Sequence, residues 1–329
     1  MKITPFITGS GMAGKGMAKA LGIIGVINPD FQIAPHIQLK RDQSLNGLTK
    51  NVENPILLLG NPHGYRADMI LEGEKAGFNW IVADKPVCIN KEDIPRLKNV
   101  KANVAVTHGF RSNWGPQQIK RMIDAGEFGE IISVEGRYWQ CSSAVSALAG
   151  HPGASKEWKQ DRKMNGPYDA FVDLGAHYAD LMFFFAGGVP TQSRAWTSHV
   201  NAPAAHRDTH AWMEFVFPKF RARGSISKTA HGTGNDLEIT VLGQKCSATW
   251  HVERPDELKI ARGTEKTIMQ KPNDNFGSRQ PPFHGMGWIE GYIDIIHNTL
   301  AHMAGHKVSY PTLQESLRVM EVLLNVETK

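Results

Sequence analysis

The chain reads as an α/β protein in two parts. A doubly wound parallel sheet is followed by an α+β part built on a large, mostly antiparallel open sheet. Three observations carry this. Up to residue 113, short apolar runs alternate with segments of helical periodicity, the pattern of strand–helix–strand units. A glycine cluster, Gly9-x-Gly11-x-x-Gly14, stands between the first apolar run and the first helical one. Beyond residue 188, six strand-like runs follow one another with no helix between them.

In the first part, ITPFITG (3–9) is a short buried strand, and GKGMAKALG (14–22) a helix stopped by Gly22. APHIQLK (34–40) is a second strand. NPILLLGN (54–61) is a third, apolar on both faces as a parallel strand is. YRADMILEGEKAG (65–77) has helical spacing and a terminal glycine, FNWIVADKP (78–86) is a strand cut by Pro86, and VAVTHGF (104–110) is the last. The division falls near Asn113, giving domains 1–113 and 114–329. In the second part, PQQIKRMIDAGEFG is an amphipathic helix and EIISVEGRYWQ a strand. A Ser-, Ala- and Gly-rich loop then spans 141–166 and leads to one helix, FVDLGAHYADLMFFFAGG (171–188). The strands TQSRAWTSHV, HAWMEFVFP, RARGSISKTA, DLEITVLG, CSATWHVE and ELKIARG follow. An irregular stretch (271–287) then precedes a closing helix pair. Trp139, Trp196, Trp212 and Trp250 are read as core strand residues.

Composition narrows the function. With 41% hydrophobic and 21% charged residues and no low-complexity tract, the chain is globular. A net charge of +5 with scattered lysines and arginines argues against nucleic acid as partner. Cys88, Cys141 and Cys246 have neither C-x-x-C nor zinc spacing, which argues against disulfides and metal and for a reducing, cytoplasmic setting. The N-terminus lacks a signal-peptide core, and no apolar run approaches the roughly 20 residues of a membrane helix.

Four features carry chemistry. The glycine cluster, with Met12 and Ala13 inside it, has the form that lets backbone approach a pyrophosphate at a helix N-terminus, as in the Rossmann fold. After the second strand, Lys40 and Arg41 stand where dinucleotide sites normally carry an acid. Two cations there suit the 2′-phosphate of NADP, while Asp42 keeps the ribose of NAD open as the alternative. Asp84-Lys85-Pro86 ends a buried strand, at the sheet edge where ligands bind in such folds; a cis peptide would fix the lysine's backbone. Asp173 and His177 stand four apart in an apolar helix, on one face; ionisable groups in such a place are either paired or open to a cleft. Asp180 is read as structural.

Together these features resemble the glucose–fructose oxidoreductase/inositol dehydrogenase/rhizopine catabolism (Gfo/Idh/MocA) family, over nearly the whole chain. The family pairs a glycine fingerprint with a Glu-Lys-Pro strand end and a GGG–LLDLGxHxxDL helix; here stand GSGMAG, ADKPV and GPYDAFVDLGAHYADL in the same order. NPHGYRA answers the family's T-P-N-x-x-H, EWKQD its W-R-x-D, and HGFRSNWGPQQIKRMIDAGEFGEIISVEG and SYPTLQESLRVMEVL match further. Asp84 replaces the usual glutamate, only Gly166 remains of the glycine triplet, and Arg66 takes the usual histidine position.

The resemblance implies an NAD(P)-dependent dehydrogenase of a sugar, cyclitol or related polyol, with Lys85, Asp173 and His177 as its catalytic set. It further implies cofactor contacts from Asn61, His63, Asp84, Lys85, Pro86 and Arg111, beside the glycine loop, Lys40 and Arg41. Trp158, Lys159 and His284 are candidate substrate contacts. The chemistry is coherent in itself. Oxidising a secondary alcohol requires a base for the hydroxyl proton, and histidine titrates near neutrality. A lysine ammonium can stabilise the developing alkoxide, and Asp173 can hold a substrate hydroxyl or orient the imidazole. Two alternatives are a non-catalytic regulatory protein that binds dinucleotide and ligand, and an NAD-dependent glycoside hydrolase of the same fold. If one face of the second sheet is apolar and uncovered, a homodimer or homotetramer follows.

Overall fold

A computed structural model describes residues 1–149, 161–199, 207–273 and 285–326. The chain forms two compact units, Met1–Ser112 with Trp288–Glu321, and Asn113–Gly287 with Val322–Lys329.

The first unit holds β1 (Lys2–Thr8), α1 (Met12–Ile27), β2 (Gln32–Ile33), β3 (Ile37–Leu39), β4 (Pro55–Leu59), α2 (Arg66–Lys75), β5 (Trp80–Ala83), α3 (Asp93–Lys98) and β6 (Asn103–Val106). The six strands pair in parallel in the order β2-β1-β4-β5-β6, with β3 joining β1 on the β2 side. Ile56–Leu59 and Ile81–Ala83 are fully buried, which is why these strands read as continuous apolar runs. The second strand of the sequence reading is two short pieces, separated at Ala34–His36.

Two expectations change here. The first helix does not stop at Gly22; it runs on to Ile27, and the buried stripe Met17, Ala20, Leu21 and Ile24 outweighs the roughly 1 kcal/mol a helical glycine costs. The closing helices also do not belong wholly to the second part. Ile289, Ile293, Ile296 and Leu300 of the helix Ile289–Met303 share one core with Ile7, Met17, Leu21 and Ile24. That helix crosses the Gly109 turn so closely that a Cβ on Gly291 would lie 2.4 Å from Gly109 Cα. Thr312 then bridges to Ala105, beside the edge of β6. Apolar periodicity marks a helix as buried without saying which sheet it covers.

The second unit is an eight-stranded sheet in the order β14-β13-β12-β11-β7-β10-β9-β8. Its strands are β7 (Ile131–Trp139), β8 (Gln192–Ser198), β9 (His210–Val216), β10 (Arg221–Ser227), β11 (Asp236–Gly243), β12 (Ser247–His251), β13 (Glu257–Arg262) and β14 (Glu265–Gln270). All neighbours are antiparallel except β7 and β10. Alternate residues are buried, as in Ala211, Met213 and Phe215, and the helices α4 (Trp114–Asp124) and Gly175–Ala186 pack against the sheet. The opposite face is not apolar. It carries the ion pairs of Arg137 with Asp236 and Glu238 and of Arg223 with Glu214, with Trp196 and Trp212 40% and 48% exposed; of the four tryptophans only Trp250 is fully buried. The stretch 141–166, read as a loop, contains the helices Ser142–Leu148 and Arg162–Asn165.

Candidate active site

In the first unit, the parallel strands end in a row at Thr8, Leu39, Leu59, Ala83 and Val106. Gly9, Lys40, Gly60, Asp84 and Thr107 therefore follow at one sheet edge, where backbone bonds continue the ladder: Gly60 N–H to Thr8 O, Asp84 N–H to Leu59 O and Thr107 N–H to Ala83 O.

Three glycines interlock at this edge. Gly9 has φ +79, and a Cβ on it would lie 2.4 Å from Gly60 O. A Cβ on Gly14 would lie 2.0 Å from Gly9 O, and one on Gly60 2.5 Å from Gly14 N. Gly11 is different: a Cβ there meets nothing within 4 Å. It is the N-cap of α1, with no side-chain cap and no acid in the first turn, so the first N–H groups of the helix face an open side. The neighbouring Asn61 accepts from Thr8 Oγ1, while its Nδ2 is buried without a partner among the described residues. Open backbone donors at a helix start and an unused amide N–H fit a dinucleotide pyrophosphate and its ribose. Met12 is exposed beside Gly11, and Ala13 half-buried. Lys40, Arg41 and Asp42 are exposed after β3, and with Gln43 line a shallow depression.

The Asp84-Lys85-Pro86 turn contains a cis Lys85–Pro86 peptide and is held from behind. Asp84, read as a cofactor contact, has its carboxylate engaged internally: Oδ1 accepts from Thr107 Oγ1 at 2.5 Å and Tyr292 Oη at 3.1 Å, and Oδ2 lies 3.7 Å from Arg66. Arg66, 1% exposed, donates to Pro86 O and Asn61 O, each at 2.6 Å, tying two strand-end turns together. His63 is buried beside it in the sequence. Arg111 is buried and donates to Glu315 Oε1 at 2.9 Å. Glu315 in turn closes a capping box with Thr312. Burial pushes the Glu315 carboxyl up, but Arg111 beside it and the Thr312 bonds hold it below its ordinary value. His108, bonded to Ser316 Oγ, is pushed well down by burial and by the cations Arg111 and Lys85, so it is neutral.

In the second unit, the helix of Asp173 and His177 is not continuous. It is two pieces, Ala170–Asp173 and Gly175–Ala186, broken at Leu174, where His177 N–H bonds Leu174 O rather than Asp173 O. The two residues therefore flank a break rather than one turn of a regular helix. His177 stands in the first turn after it, with its ring edge-on to Tyr138, centroids 5.8 Å apart. Tyr138 donates to Asn235 Oδ1 at 2.7 Å; burial and the Asp173 charge push its hydroxyl up. Asp173 Oδ2 accepts from Lys228 Nζ at 2.8 Å. Asp180 is buried in the helix.

Trp158, Lys159 and His284 lie outside the described residues. Lys228, Asp169 and Arg66 were not recognised as site residues. Lys228 ends an ordinary strand and so reads as a solvated cation; Asp169, four residues before Asp173, was the available signal. Among the described residues no group of three or more His, Cys, Asp or Glu side chains could hold a metal ion, and no helix is long and apolar enough to cross a membrane.

Comparison with known proteins adds three findings. Residues 120–326 match the family model for the C-terminal alpha/beta domain of the Gfo/Idh/MocA oxidoreductase family. The levoglucosan dehydrogenase of Pseudarthrobacter phenanthrenivorans is 20% identical over 310 residues, 83% of this chain and 77% of that protein. Among solved structures, an inositol dehydrogenase homologue from Azotobacter vinelandii complexed with NAD+ aligns with a TM-score of 0.79 and 17% identity, over 98% of this chain and 94% of that one. A levoglucosan dehydrogenase in complex with NADH and levoglucosan aligns with a TM-score of 0.81 and 18% identity, over 98% and 96%. At these identities the structural likenesses show the fold.

Proposed function

The chain belongs to the Gfo/Idh/MocA oxidoreductase family, and from that premise we propose that it is an NAD(P)-dependent dehydrogenase oxidising a secondary hydroxyl of a sugar, cyclitol or related polyol. The observation that carries the reading is the glycine interlock of Gly9, Gly14 and Gly60, with Gly11 left open at the start of α1. The relatives that act on levoglucosan or are named for inositol support the substrate class.

Gly9, Gly11, Met12, Ala13 and Gly14 would hold the pyrophosphate, and Asn61 and His63 would add contacts from the next turn. Lys40 and Arg41 would meet a 2′-phosphate, which supports acceptance of NADP; Asp42 would serve NAD. Bound NAD(P)+ would supply the acceptor for the carbinol hydride. His177 takes the hydroxyl proton, because imidazole is the side chain that changes charge near neutral pH. Lys85, its backbone fixed by Arg66 through Pro86, places a cation for the developing alkoxide. Asp173 accepts a hydrogen bond from a substrate hydroxyl. Asp84 and Arg111, engaged with Thr107, Tyr292 and Glu315, support their neighbours. The ion-paired sheet face does not meet the apolar condition for a dimer or tetramer, and it is the exposed cross-strand pair Trp196 and Trp212 that speaks for self-association.

The test is turnover of a panel including levoglucosan and myo-inositol with NAD+ and NADP+, followed by nicotinamide absorbance. We expect at least one polyol to be oxidised. His177→Ala should lower kcat/KM by about 10²- to 10⁴-fold, and Lys85→Ala by about 10²- to 10³-fold. Undiminished turnover in His177→Ala would overturn the assignment of the base. No turnover of any polyol would turn the reading to a regulatory protein.

A further inference from the structure

The strand β10 ends by delivering a lysine into the interior. Lys228 is 4% exposed, and its ammonium lies between two carboxylates, 2.5 Å from Asp169 Oδ1 and 2.8 Å from Asp173 Oδ2. Its backbone is fixed on both sides: Lys228 N–H bonds Thr209 O, and its carbonyl accepts from Ser143 and Ala144 at the start of the helix Ser142–Leu148. Asp169 is pinned as well, its N–H donating to Asp208 Oδ1 while Phe171 N–H donates to Asp208 Oδ2. A buried ammonium needs paired anions, and here it has two.

We propose that Lys228 is a positioning residue that fixes Asp173 as a standing acceptor for a substrate hydroxyl and leaves proton uptake to His177. This rests on the dehydrogenase reading above. With Lys228 bonded to Oδ2, the Asp173 carboxylate has a set orientation, and Asp169 shares the neutralisation of that cation. The titratable groups around it are Asp169 and Asp173 from the helix Ala170–Asp173 and its start, Asp208 ahead of β9, and the neutral Tyr138 of β7, against which His177 packs. Burial opposes the charge on Lys228, but Asp173 and Asp169 together hold its pKa above the ordinary lysine value. Burial pushes the Asp208 carboxyl up, offset in part by its two backbone donors.

The consequence appears on removing the cation. Without Lys228, the buried Asp169 and the half-buried Asp173 are two carboxylates left facing the same space, and they share a proton. Asp173 then loses its acceptor role as pH falls, at a higher pH than in the parent. Lys228→Met, assayed with the polyol that the parent oxidises fastest, should lower kcat/KM by about 10²-fold and move the acid limb of its pH profile upward. NADH affinity should stay at the parent value, and Lys228→Arg should recover part of the activity and return the limb towards its original position. Parent kinetics and an unmoved acid limb in Lys228→Met would overturn the proposal. Should Lys228→Met not fold, Lys228→Arg decides alone: its fork cannot reproduce a single nitrogen between two carboxylates. We then expect KM for the polyol to rise about tenfold at unchanged NADH affinity, and parent KM would overturn the proposal. The two failures separate cleanly. If His177→Ala and Lys85→Ala lose turnover while Lys228→Met keeps it, only this inference falls; if the parent oxidises no polyol, the dehydrogenase reading falls and this inference with it.

Discussion

Arg66 shows how a cation in a polar-looking stretch becomes structural. On the sequence it appears only as a departure from a histidine; in the fold its guanidinium is 1% exposed and spans Pro86 O, Asn61 O and the Asp84 carboxylate. The glycine spacing, the strand-end lysine and the Asp173–His177 pair were legible because each is a local pattern with a local physical cause. Arg66, Lys228 and the Asp84 partners were not, because each is fixed by at least one residue 20 or more positions away, up to 208 for Tyr292 and Asp84. His108 belongs to the same group and gives a test on stability. Its folded pKa lies well below the ordinary value near 6.5. The unfolded chain therefore binds a proton there that the folded protein does not, so the contribution is complete above about pH 6.5 and is lost as pH falls towards the folded value. His108→Gln should flatten the fall of stability between about pH 7 and pH 5 by up to ~1.4 kcal/mol per pH unit, measured by urea unfolding. A parent-like slope would contradict a buried neutral histidine.

At the scale of elements, Tyr178 fixes where the helix Gly175–Ala186 crosses the sheet, beside the contacts of Phe183 with Phe215 and Phe217. Tyr178 lies across Gly136 of β7 and Gly224 of β10, which face each other in register. A Cβ on Gly224 would lie 2.5 Å from its ring and one on Gly136 2.7 Å. This glycine slot holds the helix next to His177, and it runs across the one parallel pair in the sheet, which strand patterning alone did not disclose. Gly224→Ala should cost about 1–3 kcal/mol through overpacking and lower turnover by displacing His177. The Tyr178 hydroxyl is buried without a partner among the described residues, so Tyr178→Phe should be neutral or stabilising. Chemical denaturation of both variants checks this; a destabilised Tyr178→Phe would mean the hydroxyl has a partner. The break at Leu174 was also hidden, because the apolar run 171–188 reads as one helix by spacing.

For the whole molecule, strand–helix alternation followed by strands in succession was enough to read a parallel sheet and then a mostly antiparallel one. The path of the chain was not: the helix Ile289–Met303 returns to the first core, since a buried helix satisfies its periodicity against either sheet. Family membership accounts for the order of the motifs, and the open Gly11 with its uncapped helix start is what supports the proposal that the sheet edge holds a dinucleotide. That claim is tested most directly by titrating the protein with NADH and NADPH, following nicotinamide fluorescence, in the parent, Gly14→Ala and Lys40→Ala. Saturable binding by the parent is expected. Gly14→Ala, whose Cβ collides with the Gly9 carbonyl, should weaken both cofactors by at least about tenfold, and Lys40→Ala should weaken NADPH alone. Binding of neither cofactor by the folded parent, or undiminished binding by Gly14→Ala, would contradict the account.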